Sequence, residues 1–528
     1  MSTQTVLQEA SFAEAPGQRS GLLRHTALYG GASLAAYILS MLKAVVVSRL
    51  FGTTPEMDAY TVAILVPNLI GALISSTTAG ALIPVLAKAE RESEQARATV
   101  FRTSLAIFTA GSLAITLLLV LFAAPLAHLL GATFDPYRLS LTAKLLRRAS
   151  VLAVSNGIYA VCSAELLARK RYGSVGMAPA CGTAISLAIL LSLSKPGIEV
   201  LVWSLVAGTA TQAVMLAIPA WRRSRGGVFS SWRNRHVKGN LTAQFHLLGA
   251  AMIGVANGFI DQMFAARLPS GSVSALSYAG SFNGVLMQAV AMSLAWVALP
   301  DLSKLAACES SEPLRTRVRY CVALAAALAA PITAAVFAFG QDTVRLILQH
   351  GRFDANSTAA VFPTWAGYSL GLLPAAAGMI VVRLINALGK NDLLFRIGIL
   401  LLLTNAAFDY LFMHWFGLVG ISLSTSFVYV VSAVTLFLVG RRFIGVILDR
   451  HTLALLSEVI LSVLVSIAPV IVWRLLQPVP PGIAMLQAIL FFILLITTYV
   501  SCRLLRFEWR GFRGIAGIPF HLALEIDS

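Results

Sequence analysis

Residues 58–86 read DAYTVAILVPNLIGALISSTTAGALIPVL. After Asp58 the stretch holds no Asp, Glu, Lys, Arg or His, and it exceeds the roughly 20 residues a helix needs to cross a bilayer. Backbone N–H and C=O groups find no water in hydrocarbon, so such a segment satisfies them only as a helix. Similar runs recur on both sides of it. The expected spans are 27–47, 58–86, 103–130, 146–168, 178–194, 199–220, 243–266, 272–299, 318–339, 357–382, 393–414, 417–440, 453–473 and 483–502. The fold class is therefore an all-α polytopic membrane protein of about fourteen transmembrane helices.

Composition points the same way. Of 528 residues, 58% are hydrophobic and 12% charged, with mean hydropathy +0.80, whereas soluble domains carry about 25% charged residues. A net charge of +17 would raise nucleic acid as a partner of a soluble protein, but no RNA- or DNA-binding motif accompanies it. Membrane proteins instead gather Lys and Arg in cytoplasmic loops. With both termini in the cytoplasm, 29 of the 40 Lys and Arg residues fall on that side, ten on the other, and Lys43 lies inside a span. The expected location is the bacterial inner (cytoplasmic) membrane. Residues 1–20 are polar and lack the layout of a cleaved signal, so the first span is expected to direct insertion. The five cysteines (Cys162, Cys181, Cys308, Cys321 and Cys502) show no metal-ligand spacing and suggest no disulfide framework.

The second span ends in Ile83-Pro84-Val85-Leu86-Ala87-Lys88 and the eighth in Leu299-Pro300-Asp301-Leu302-Ser303-Lys304, 216 residues later. Arg49-Leu50 and Arg267-Leu268 are 218 apart, as are Ala59-Tyr60 and Ser277-Tyr278. A repeat of six spans keeps one orientation, and parallel repeats place a substrate path between two bundles. This divides the chain into a polar cytoplasmic tail (1–25), a six-helix lobe (26–220), a basic cytoplasmic linker (221–242), a second six-helix lobe (243–440), two extra helices (441–505) and a cytoplasmic tail (506–528). The linker segment Trp221–Lys238 suits anionic headgroups.

Ser48-Arg49-Leu50-Phe51-Gly52, Met57-Asp58-Ala59-Tyr60, Val66-Pro67-Asn68-Leu69 and Ala81–Leu86 together resemble the MurJ/MviN family of the MOP exporter superfamily. Ser270-Gly271-Ser272-Val273-Ser274 with Tyr278-Ala279, Leu299–Lys304 and Gly351-Arg352-Phe353 extend the resemblance over about residues 25–445. It implies two six-helix lobes in a V around a cavity open to one side at a time, with spans 13 and 14 forming a groove for a lipid tail. It also implies a substrate: lipid II, the undecaprenyl-linked peptidoglycan precursor. By the same resemblance, Lys43, Asp58, Asn68, Ser281 and Arg383 are the expected substrate-binding residues. The family's cavity arginines fall on Tyr37, Lys43, Gly71 and Ser281, and its span-ten Lys on Arg383. Arginine binds phosphate through a bidentate fork that Tyr, Gly and Ser do not supply. The cavity is thus expected to be less positive than that of a lipid II flippase.

Individual residues leave alternatives open. Lys43 either snorkels to the interface or faces a cavity. Asp58 is either a carboxylate at a helix N-terminus or a partner of Lys43 or Arg49. Asn257 and Asp261 share a helix face, as do Asn405 and Asp409; the choice is interhelical hydrogen bonding or a proton or sodium site. Glu165 reads as a partner of Arg169, Arg147 and Arg148 as interface anchors or phosphate receivers, and Trp296 with Met287 and Met292 as packing. No nucleotide loop or hydrolase motif is present, so no cofactor is expected and energy would come from the membrane potential or a cation gradient. The partners are the bilayer and a polyprenyl-pyrophosphate-linked glycan, with no nucleic acid. The leading reading is a flippase of undecaprenyl-linked saccharides, a transporter and not an enzyme. Alternatives are an exporter of a lipid-linked exopolysaccharide precursor, a MATE-type small-molecule antiporter and a membrane-embedded glycosyltransferase.

Overall fold

The computed structural model describes residues 35–463 except 194–195, 225, 227–234, 307–310, 451, 455 and 462. These residues form helices and no strand, as a hydrocarbon surrounding requires. The first helix, α1, covers 35–51. It is followed by α2 (Pro55–Glu92), α3 (Glu94–Leu121), α4 (Ala123–Leu130), α5 (Pro136–Ala149), α6 (Leu152–Ala168), α7 (Tyr172–Leu191), α8 (Ile198–Arg223) and α9 (Arg235–Ala265). Next, α10 (Ser272–Met287) passes through a π turn (Gln288–Met292) into α11 (Ser293–Ala306). Then come α12 (Ser311–Leu348), α13 (Ala355–Ser369), α14 (Leu372–Ala387) and α15 (Asn391–Ile444). A short apolar helix, α16 (Thr452–Leu461), opens the expected thirteenth span. The remainder of that span, span fourteen, both tails and the centre of the basic linker lie outside the described residues.

Among the described residues eight helical stretches are long and apolar enough to cross a membrane, or nine if α13 and α14, bent by 41°, count as one. The chain is a multi-pass membrane protein. α2 and α10 begin 217 residues apart, at Pro55 and Ser272, within the offset of the sequence repeat. One expected boundary holds and one changes. Expected spans eleven and twelve are the two helical parts of α15, and they meet at Gly417, where a positive φ of 58° breaks the helix. Span four begins earlier than residue 146, because Asp135 caps α5 and Pro136 occupies its first position. Arg138, Lys144, Arg147 and Arg148 therefore lie on a helix, where Lys144 and Arg148 both pair with Glu199.

The residues fall into two compact units. Unit one comprises Met1–Tyr278, Ile347–Ala360 and Gly398–Ile421; unit two comprises Ala279–Leu346, Val361–Ile397 and Ser422–Ser528. In unit one Leu82, Leu86, Phe101, Val161, Leu166 and Leu216 build an apolar core. In unit two Val318, Val322, Leu372, Ile380, Leu384 and Leu436 do the same. Lipid offers no hydrophobic gain to helix association, so small residues that let backbones approach carry part of the packing. α7 and α8 show this: a Cβ on Gly208 would stand 2.6 Å from the Gly182 carbonyl oxygen, and Ser186 Oγ donates to Ser204 Oγ at 3.2 Å.

A buried ionic cluster ties α2, α3 and α6 together in unit one. Arg97 and Glu165 are almost wholly buried and pair at 3.3 Å; Arg97 also reaches Glu90 at 2.6 Å. Glu165 meets Arg169 at 2.6 Å, as its spacing suggested, and Arg169 reaches Glu94 at 3.0 Å. Arg97 as the second partner was not evident, since 68 residues separate it from Glu165. Removing one member of a buried pair leaves an uncompensated charge and costs about 3–5 kcal/mol. Arg97→Ala is expected to lower the thermal midpoint sharply, and adding Glu165→Gln should recover part of the loss. A double variant whose loss equals the sum of the singles would show that the two side chains do not act as a pair.

Candidate functional site

The site is built outward from Asp58. Thr54 begins α2 by accepting from the Met57 N–H at 3.4 Å, and Pro55 fills the first turn, which orients Asp58 one turn in. The Asp58 carboxylate is fully buried in unit one. Its Oδ2 accepts from the Gly271 N–H at 2.6 Å, and its Oδ1 accepts from both the N–H and the hydroxyl of Ser274 at 2.8 Å. Those N–H groups belong to the N-terminal turn of α10, so a side chain of one helix caps another. Gly271 reaches this position with φ of +92°, a left-handed conformation that glycine adopts without strain. Arg138 Nη1 approaches Asp58 Oδ2 at 4.0 Å and places its guanidinium 4.5 Å from the Phe134 ring centroid. Arg138 is in turn held by Asp135 at 2.7 Å. Hydrogen bonds from the Arg138 N–H and guanidinium keep the Asp135 carboxyl below the usual carboxylate range. Pairing of Asp58 with Lys43 or Arg49 is not what forms, because the two backbone donors and the Ser274 hydroxyl occupy the carboxylate.

A second junction adjoins it. The Arg352 N–H donates to the Arg49 carbonyl at 2.9 Å, and Thr53 and Ser357 hydroxyls meet at 2.7 Å. Tyr278 donates to the Gly52 carbonyl at 3.2 Å and meets Phe353 edge-on at 5.6 Å. The approach is so close that a Cβ on Gly52 would stand 2.3 Å from the Arg352 carbonyl oxygen. The motif residues 48–60, 270–278 and 351–353, dispersed along the chain, thus meet in one place.

Lys43 is half-buried on α1 and forms no ion pair among the described residues. Asn68 on α2 and Ser281 on α10 are exposed. Gly71 is buried, and a Cβ there would lie 2.3 Å from Asn156 Nδ2, so Asn156 fills the space an arginine stem would take. Tyr37 is exposed on α1. In unit two the half-buried Arg383 sets its guanidinium 4.1 Å from the Trp296 ring centroid, and its Nε is buried with no hydrogen-bond partner. Trp296 is 58% exposed and takes the Arg383 guanidinium against its ring face, while Met287 packs against the apolar core of unit two. The π turn that precedes Trp296 is not legible in the sequence, because a one-residue register shift is hidden in a run that is apolar on most faces.

Asp261, Asn405 and Asp409 converge in unit one. Asn405 Nδ2 donates to Asp261 Oδ1 at 2.9 Å and to Asp409 Oδ2 at 3.0 Å, and all three residues are buried. Two pairs seen in the sequence on separate spans share one amide. Asn257, one turn from Asp261, keeps a buried Oδ1 without a hydrogen-bond partner.

The family model described as "Lipid II flippase MurJ" matches residues 47–492. A probable lipid II flippase MurJ of Synechocystis sp. is 24% identical over 466 residues, covering 83% of this chain and 85% of that one. A solved lipid II flippase MurJ in an inward closed conformation gives TM-score 0.76 at 17% identity, covering 92% of this chain and 99% of the other. An inward-facing multidrug MATE transporter of the MOP superfamily gives 0.64 at 15% identity, over 82% and 96%. The two solved structures establish the fold.

Removing the Asp58 carboxylate orphans buried N–H groups, at about 1–3 kcal/mol each. Asp58→Ala is expected to lower the thermal midpoint and to raise thiol labelling of a cysteine placed at Ser270. Unchanged labelling and an unchanged midpoint would show that Asp58 does not hold this junction.

Proposed function

Because the chain belongs to the MurJ family of lipid II flippases, we propose that it carries lipid II, an undecaprenyl-pyrophosphate-linked saccharide, across the bacterial inner membrane by alternating access. The observation that supports this reading is Lys43, a half-buried cation within apolar α1, together with Arg383, which lies near the end of α14 just past the expected tenth span; neither is ion-paired among the described residues. A charge at that depth is costly unless a partner or an aqueous cavity receives it. A pyrophosphate supplies the missing counter-charge. The excess of Lys and Arg in alternate loops supports both termini in the cytoplasm.

In this mechanism Asp58 holds a junction shut and does not touch the substrate, since its oxygens are already filled. Opening that face requires those donors to exchange the carboxylate for water. In unit one Lys43 is the residue proposed to receive the pyrophosphate and Asn68 to offer a neutral hydrogen bond; in unit two the same roles are proposed for Arg383 and Ser281. Two arginine contacts are missing at Gly71 and Ser281. At roughly 1.5–3 kcal/mol each, their loss weakens ground-state attraction for pyrophosphate by about two to four orders of magnitude. Looser binding favours release as well as hindering capture, so it does not by itself oppose transport.

Coupling is assigned to Asp261, Asn405 and Asp409, with Asn257 beside them. Two buried carboxylates within 3.0 Å of one amide nitrogen repel each other unless a proton or a monovalent cation joins them. Oxygen-rich clusters of this kind suit hard cations.

In a cell depleted of its own lipid II flippase, the wild-type chain is expected to restore growth. Lys43→Ala and Arg383→Ala should each lose most of that activity at equal membrane abundance. A wild-type chain that reaches the membrane without restoring growth would overturn lipid II as the substrate. It would turn attention to another polyprenyl-linked glycan, as the neutral Gly71 and Ser281 positions allow.

For coupling, Asp261→Asn is expected to abolish the dependence of lipid transport on a sodium or proton gradient in vesicles while leaving the fold intact. A variant as gradient-dependent as the wild type would remove the cluster from coupling.

A further inference from the structure

Unit one contains a cavity of about 750 Å³ to which neither the lock nor the proposed substrate contacts assign a role. Val46 and Arg49 of α1, Leu190 and Leu191 at the end of α7, Leu193 and Arg352 line it. Its position follows from the sequence: α7 is an apolar membrane helix that ends at Leu191, where hydrocarbon gives way to headgroups. Leu191 and Leu193 are 64% and 44% exposed, so the apolar wall is open and not packed against other side chains.

Arg49 and Arg352 meet here by construction. The Arg352 N–H donates to the Arg49 carbonyl at 2.9 Å. The preceding Gly351 takes φ of +65°, and a Cβ on it would stand 2.4 Å from the Arg49 carbonyl oxygen. Any larger residue would push the two strands of chain apart. The backbone therefore holds two cations on one cavity wall, and no carboxylate pairs with either guanidinium among the described residues. Both arginines line the same cavity, and an anion there would interact with either. Guanidinium forks suit phosphate oxygens, and leucines suit an alkyl chain.

We propose that this cavity binds one anionic bilayer phospholipid, with its phosphodiester held by Arg49 and Arg352 and an acyl chain along Leu191 and Leu193. A free anion would leave the leucine wall exposed. An anionic lipid cancels one of the two positive charges, whereas a zwitterionic lipid cancels neither. The exposed Leu191 and Leu193 set the cavity mouth against the bilayer's own lipids, which surround it throughout. The bound headgroup bridges the end of α1 to the Gly351 turn, the two segments that meet beside Asp58. It is thus a ligand of the locked state, and membrane anionic-lipid content sets how firmly that junction closes.

The test uses the full chain in nanodiscs of equal phosphatidylglycerol and phosphatidylcholine, with lipids retained after gentle release read by native mass spectrometry. The wild type is expected to keep one phosphatidylglycerol in preference to phosphatidylcholine by about tenfold, the ratio a single charge-assisted contact provides. Arg49→Gln with Arg352→Gln should abolish the preference, whereas Arg345→Gln, which removes a cation elsewhere, should keep it. Leu191→Ser with Leu193→Ser leaves both arginines in place and should reduce retention of the lipid, so the proposal stays testable if the arginine variant does not fold. Equal retention of both lipids by the wild type overturns the proposal. Displacement of phosphatidylglycerol by inorganic phosphate, or stronger retention of undecaprenyl pyrophosphate, overturns a bilayer phospholipid as the occupant.

Discussion

A helix that starts inside protein exposes backbone N–H groups to no solvent, and something must accept their hydrogen bonds. For α10 the acceptor is the carboxylate of Asp58, delivered from the first turn of α2. The rest of the motif cluster follows from that contact. Gly271 needs a positive φ to aim its N–H at Asp58, and Ser274 adds its hydroxyl to its own N–H. Arg138 offsets part of the buried charge from 4.0 Å, steadied by Asp135 and the face of Phe134. Gly52 and Gly351 are small because their backbones touch those of Arg352 and Arg49.

Away from that junction, polar groups inside the spans follow two patterns. Arg97, Glu165 and Arg169 neutralise one another, and Ser186 and Ser204 satisfy one another, so they belong to the scaffold. Lys43 and Arg383 depart from this rule, each a cation in an apolar helix without an anionic partner among the described residues. The carboxylates of Asp261 and Asp409 depart from it in the opposite sense, two acids gathered around one amide. Membrane energetics makes such groups expensive, which is why the proposed transport cycle is built on them.

The helical frame is shared with MATE transporters, and the frame alone does not choose a cargo. The chemistry that chooses lies in single positions. At Gly71 the side chain of Asn156 occupies the volume that an arginine stem needs, so charge is absent there for a steric reason as well as a genetic one. On the other unit, Arg383 rests over an exposed indole, which orients the guanidinium without satisfying its hydrogen-bonding groups.

Much was legible in the amino-acid sequence because hydrocarbon permits so few solutions. Apolar runs near span length specify helices, and the offset of the proline-ended spans matches the 217 residues between the starts of α2 and α10. The i, i+4 pairing of Glu165 with Arg169 and the acidic faces of 257–261 and 405–409 were readable because a helix places such residues together. What the sequence left open were meetings across long separations: Asp58 with Ser274, Arg97 with Glu165, Asn405 with Asp261, and Gly351 with Arg49. It also misplaced the start of span four, since a capped amphipathic helix at 136–149 resembles a charged loop. Periodicity reports which face of a helix is apolar, a property of neighbours in the chain. Which helix that face meets, and which backbone N–H a buried carboxylate accepts, depends on the packing of distant segments, and only the tertiary structure decides it.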